Sequence, residues 1–337
     1  MMTSTRWRYG TLLLAAFALS TVSAMPPRKD INPALLYGQA FSRFPVLDES
    51  ESTLLGHDNS GDPGAEERAL ASRFDDAFAF ILRARAQKAP CDWGADPADG
   101  PKAITPNWIK VRTGIYAAVL RARIALADGD QARARDELLA GSVMSRHAAT
   151  SASLVGTMIQ VAAEMKVLDF MAAHFDQLEP PTRSEIVAGL QAPPVRATVA
   201  DAMANERAGF QEWMLSRLEG FRAKDRDDAK VLAQFRVLIA ENISSEPDLA
   251  DRIIEASGGT SAGVVRYIKA LEPHYARSHV IAQASARDIR RETARFEAEI
   301  NATTNLLVRV VMPNVSKARM KELEFQARLA RLPGQAP

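Results

Sequence analysis

Cysteine is nearly absent. Cys91 stands alone, so the chain forms no internal disulfide and its core must hold by packing. Strand signals are scarce: no run of alternating β-branched and polar residues exceeds about four, which argues against a fold built from sheets. Neither sign of charge dominates. The 42 Lys and Arg against 41 Asp and Glu lack the basic surplus of a nucleic-acid binder. There is no Gly-x-Ser-x-Gly elbow and no phosphate-binding glycine loop. None of the five histidines has Asp or Glu three residues before it, the spacing by which helical bundles place two metal ligands on one face.

Arg6 and Arg8 precede the apolar run Thr11–Leu19, and Thr21-Val22-Ser23-Ala24 follows. A basic start, a short apolar stretch and small residues at the −3 and −1 sites are the parts of a secretory signal peptide. The run is too short to span a bilayer, which takes about 20 residues. The expectation is cleavage after Ala24 and an exported chain, periplasmic or in the cell envelope, with no transmembrane span left. Losing Arg6 and Arg8 leaves 40 basic against 41 acidic residues. Cys91 lies far from the cleavage site, so it is no lipid anchor.

Helical spacing fills the remainder. Leu70, Phe74, Ala77, Ile81 and Ala84 recur at intervals of four and three, as do Val111, Ile115, Val119, Ala122 and Leu126. Leu154, Met158, Val161, Met165, Leu168, Ala172 and Phe175 read as the seam of a helix packed along a partner. Breakers separate these segments: Gly56–Gly64, Pro90–Pro101, Asp128-Gly129-Asp130, Pro180-Pro181, Pro193-Pro194, Lys224–Asp228, Ser257-Gly258-Gly259 and Pro313. The fold class expected is all-α: antiparallel helical hairpins, part bundle and part tetratricopeptide-like solenoid. Its organisation reads as a signal peptide over 1–24, N-terminal hairpins over 25–180 and a C-terminal helical region over 195–337, the last two open to being one continuous domain.

Ala118, Ala122, Ala125, Gly129, Asp130, Ala134, Leu138 and Gly141 follow the spacing of a tetratricopeptide unit, with small residues at the helix crossing and Gly-Asp at the turn. Arg146 stands where the closing proline of such a unit belongs, and no second copy lies about 34 residues away. Further residues carry a wider likeness. Asn32-Pro33-Ala34-Leu35-Leu36-Tyr37-Gly38-Gln39-Ala40-Phe41, Cys91-Asp92-Trp93-Gly94 with Asp99-Gly100-Pro101, Asn205-Glu206-Arg207, and Asn305-Leu306-Leu307 through Met312-Pro313-Asn314 resemble a group of exported helical proteins of planctomycete-type bacteria. The resemblance implies a shared helical fold and export. It hands over no activity.

Candidate chemistry is thin. Asp58, Ser60 and Asp62 start like a calcium loop, but Pro63 replaces the turn glycine and Ala69 the closing glutamate. His274 and His279, five apart, face about 140° away from each other on a helix. Cys91 with His147, His174, His274 or His279 is a conceivable thiol pair, against the simpler reading of a small buried residue. Glu206 and Glu212 share a helix with Arg207, Phe210 and Trp213, the acid-and-aromatic mixture of carbohydrate-active sites. Six residues apart, they diverge by about 120° on a regular helix, and an ion pair is the competing role. Trp93 and Trp108 are the candidates for binding, with Trp93 read either as a staple for its turn or as a partner anchor. From Arg287 to Arg331 ten basic residues meet six acidic ones, a solvated face first and a phosphate-binding stripe second, while the basic amphipathic tail Val315–Pro337 is a weaker candidate for holding the chain at the envelope surface. The function expected is that of an exported helical scaffold or protein-binding protein of the envelope, without catalysis, cofactor or metal, whose partner is an envelope protein rather than nucleic acid. The alternative is an envelope hydrolase using a carboxylate pair.

Overall fold

The computed structural model describes residues 30–56, 61–151, 153–244 and 246–332, so the signal-peptide segment and the Asp58 and Ser60 of the calcium-like turn lie outside the described residues. Contacts divide the chain into Met1–Ile31 and Asn32–Pro337. All the described helices belong to the second unit, and the described residues carry no strand: the fold is all-α. None of these helices is long and apolar enough to cross a membrane.

Helix α1 (Pro33–Phe41) starts where the Asn32 side chain accepts the Ala34 N–H and Pro33 fills the first helical position. Next come α2 (Glu49–Gly56), α3 (Ala65–Ser72) and α4 (Asp75–Arg85). The stripe Leu70, Phe74, Ala77, Ile81 and Ala84 is buried along its whole length. It nevertheless runs over two helices, because the chain breaks between Ser72 and Asp75. The break seats Phe74 edge-on against Phe44, 5.3 Å between ring centres.

Helices α5 (Trp108–Ala127) and α6 (Gln131–Ala149) form the hairpin expected around Asp128-Gly129-Asp130. Gly129 has φ +78°. That left-handed residue lets the Asp130 N–H reach back to the Ala125 carbonyl at 2.8 Å, closing α5. A Cβ at Gly141 would lie 2.9 Å from that of Ala118, so the two helices nearly touch at their crossing. Helix α6 then disappears into the protein: Glu137 through Ala149 are all buried among α4, α5, α7 and α8. A helix buried all round is usually apolar all round. This one instead satisfies its polar side chains internally, Glu137 with Arg121 and Arg146 with Glu164.

Helices α7 (Leu154–Ala173) and α8 (Pro180–Gln191) pack on α6. Here the seam differs from the expected one. Val161 and Leu168 are buried, but Ala172 and Phe175 are exposed, and the deepest positions are Thr157, Gln160 and Glu164, each fully buried. The helix turns this polar face inward because the connection Leu190–Ala197 needs partners there. Arg146 donates to the carbonyls of Leu190, Ala192 and Pro194. Gln160 exchanges two hydrogen bonds with Ala197. Glu164 holds both Arg146 and Arg196.

Helix α9 (Val199–Arg207), a π-turn over Ala208–Glu212 and α10 (Trp213–Lys224) form one continuous rod. Then follow α11 (Asp228–Asn242), α12 (Leu249–Ala256), α13 (Ser261–Lys269), α14 (Glu272–Ala282), α15 (Ile289–Ala302), α16 (Leu306–Val311) and α17 (Val315–Leu329). Helix α17 ties the layers together. Its Phe325 and Leu329 sit in the core of α5–α8, while its Val315 and Ala318 sit in the core of α9–α16.

Glu164→Ala leaves two guanidinium groups without their buried partner, and we expect a loss of about 4 kcal/mol of stability in urea unfolding at neutral pH. A loss below about 1 kcal/mol, the scale of a surface ion pair, would remove this residue from its structural role.

Candidate functional site

The first cluster of chemistry-bearing residues lies where α1 meets the turn before α5. Asn32 clasps Asp92 through two hydrogen bonds, Asn32 Nδ2 to the Asp92 carbonyl (2.6 Å) and the Asp92 N–H to Asn32 Oδ1 (3.0 Å). Two segments of the family-like pattern, Asn-Pro and Cys-Asp-Trp-Gly, are thereby joined. Trp93 donates its indole N–H to the His147 carbonyl at 2.7 Å and stacks on Tyr37 and Phe41. The structure places it as a staple for its loop. Asp92 and Asp96 cap local turns, accepting the N–H groups of Gly94 and Ala98.

Cys91 and His147 belong to this cluster without forming a nucleophile. Thr150 Oγ1 donates to the backbone carbonyls of both, and the His147 ring is hydrogen-bonded to the Tyr37 hydroxyl at 2.8 Å. Burial pushes the Cys91 thiol up to about 12. Burial, with the Arg146 charge second, pulls the His147 imidazole down to about 4. A thiolate–imidazolium pair needs both shifts reversed. The other histidines are elsewhere: His174 bonds Gln177, and His279 bonds Gln283. Among the described residues no group of His, Cys, Asp and Glu is gathered to hold a metal ion.

The second cluster surrounds Glu206 and is a cleft. Glu206 ends α9 and accepts the Leu154 N–H at 2.9 Å, so its carboxylate lies at the N-terminus of α7. Ser153 caps the same helix through the Gly156 N–H. Opposite stands the 3₁₀ turn Pro97–Lys102. Between them opens a cavity of about 320 Å³, walled by Pro97, Pro101, Ile104 and Phe210 with Glu206 and Asn205 on its polar side. Tyr275 is buried close by; burial first, and the Glu206 charge second, push its hydroxyl upward.

Glu212 is not brought into this cleft. The rod does not keep α periodicity between the two acids, because the π-turn shifts the register. Its i→i+5 geometry aligns Arg207 with Glu212, and the two pair at 2.8 Å; a regular helix would hold them about 140° apart. Arg207 also binds Glu272. Glu206 and Glu212 thus have different partners and form no carboxylate pair. The register shift also leaves Gln211 Oε1 and the Trp213 indole N–H buried with no hydrogen-bond partner among the described residues.

Trp108 is half-buried over the start of α7, where a Cβ on Gly156 would meet its ring at 2.9 Å. Beside these contacts stand three exposed apolar side chains: Ile104 on the cleft wall, Ile109 next to Trp108, and Val155 next to Gly156, 59%, 74% and 54% exposed. Sequence spacing puts Phe210 with Glu206, as the cleft does, but gives no sign of Ile104 as a wall of the same cavity. Only Gly209, a glycine inside a helical pattern, hinted at an irregular turn there.

Gly100 faces this site from the 3₁₀ turn. It has φ +63°, and a Cβ there would run into the Trp213 indole. Gly100→Ala should cost roughly 3 kcal/mol by combining backbone strain with overpacking, and should shift the tryptophan emission. A second expectation concerns pH. Because the His147 imidazole is held near 4 rather than 6.5, the unfolded chain binds more protons between those values. Stability is therefore complete above about pH 6.5 and falls as pH drops toward 4, by about 3 kcal/mol in all. Urea midpoints should show this part of the slope disappearing in His147→Gln. Comparison with protein-family models, curated proteins and solved structures finds no match to this chain, so its function is argued from these residues.

Proposed function

We propose that the chain is a non-catalytic protein-binding protein that docks part of a partner in the cleft at the π-turn. The observation that carries this reading is a cavity of about 320 Å³ walled by Pro97, Pro101, Phe210 and the exposed Ile104, with one carboxylate, Glu206, on it. Apolar walls with a few convergent polar groups are the form of a binding site. The arginine-flanked apolar start and the likeness to exported helical proteins favour a partner in the cell envelope.

The hydrolase alternative has less support. Glycoside hydrolysis takes two carboxyl groups flanking one bond. Among the described residues lining the cleft, Glu206 is the single acid.

Selection of a random heptapeptide library on the full chain should enrich ligands whose affinity falls by about tenfold in Ile104→Asp, with an unchanged circular dichroism spectrum. Enriched ligands indifferent to Ile104→Asp would place binding elsewhere, and the absence of any enrichment would count against the docking reading itself.

A further inference from the structure

We infer that the group docked in this cleft is an alkylammonium, a lysine side chain of the partner, held by Glu206. The inference rests on the docking reading above and names its occupant. A carboxylate withdrawn from water is costly unless a cation or several donors meet it. Glu206 is half-buried, and one of its oxygens accepts the Leu154 N–H. Among the described residues no cation pairs with it, and no residue lining the cleft is basic. The nearest arginine in sequence, Arg207, is held by Glu212 and Glu272. The N-terminus of α7 offsets about half a unit of charge, and Glu206 is the one charged residue among the described residues lining the cleft.

The shape selects among cations. A guanidinium binds a carboxylate best through both oxygens at once. Here the Leu154 N–H already takes one lone pair of Oε1, so the two oxygens are not equally open, and a point-like ammonium needs only one of them. An ammonium has three donors. Glu206 takes one, and the hydroxyl-bearing Thr105, Ser151 and Ser153 line the same cavity. The methylene stem of a lysine packs along apolar surface while its head stays polar. Pro97, Pro101, Ile104 and Phe210 offer that surface. A lone carboxylate is too little for a metal ion, and the volume suits one side chain rather than a folded segment.

The test uses the full chain with n-hexylammonium, 1-hexanol and hexanoate as probes, followed by calorimetry and by the NMR resonances of Ile104 and Phe210. Hexylammonium should bind about tenfold more tightly than hexanol, as a charge-assisted hydrogen bond provides, with hexanoate weakest. Glu206→Gln keeps an acceptor for Leu154 and should level hexylammonium with hexanol. Glu219→Gln, an exposed acid of α10 that does not line the cleft, should preserve the preference. Equal binding of hexylammonium and hexanol by the unaltered chain overturns the ammonium assignment while leaving the docking reading in place. If neither ligand shifts the Ile104 and Phe210 resonances, both readings fall. A preference that survives Glu206→Gln overturns the assignment of the ammonium to this residue.

Discussion

The fully buried Glu164 carboxylate of α7 is the constraint on which the other parts depend. It binds Arg146 of α6 and Arg196 of the connection that follows α8. Those two guanidinium groups also collect the carbonyls of Leu190, Ala192 and Pro194. A buried ion pair alone is weak evidence for stability, since an apolar replacement is often as good. The carbonyls change that balance. Each would cost about 1–3 kcal/mol if buried without a donor, and Pro193 and Pro194 have no N–H with which to build a local turn. The charged cluster therefore fixes the path of this connection through the interior. Arg196 also lies over the Phe325 ring at 4.7 Å, which draws α17 onto the same point.

From that point the path to the cleft is short. Arg196 and the Gln160–Ala197 pair bring the chain to Thr198, whose side chain opens α9 with a capping box. The next N–H, that of Val199, donates to Glu322 of α17. Helix α9 can then run only one way, and Glu206 at its end meets the first N–H of α7, the helix that carries Glu164. Helix α7 is thus gripped at its middle by the Glu164 cluster and at its start by Glu206. The cavity lies where this circuit closes, and the staple of Trp93 on His147 places the loop leading to its opposite wall.

What the sequence makes legible is local. Apolar spacing, proline and glycine identify helices and breaks, and Gly129 with Asp130 reveals the α5–α6 turn, because each of these signals acts within one turn of chain. The stripe through Phe74 shows the limit: periodicity identifies the buried positions but misses the break between α3 and α4. The polar interior is not legible at all. Arg146 reads as a departure from a repeat pattern, yet it is among the most buried large side chains, since its partners lie 18 to 48 residues away. The same holds for the inward face of α7, where Gln160 and Glu164 break the apolar pattern to serve a distant connection. The cleft combines residues from three separated parts of the chain, 95–105, Ser151 with Ser153, and 205–210, and no spacing rule joins them.

The π-turn gives the cleft its electrostatic character. In a regular helix the residues beneath Arg207 would be Phe210 and Gln211, at three and four positions on. Neither is an acid, so the guanidinium would have no partner on its own helix. The inserted register brings Glu212 beneath Arg207 instead, and Glu272 completes the pair from α14. The cost is visible in the buried Gln211 oxygen and Trp213 indole N–H, which lack hydrogen-bond partners among the described residues. Irregular turns of this kind occur often at functional sites. Here the consequence is specific: the arginine is occupied outside the cleft, and among the described residues the carboxylate inside it has no cation of its own.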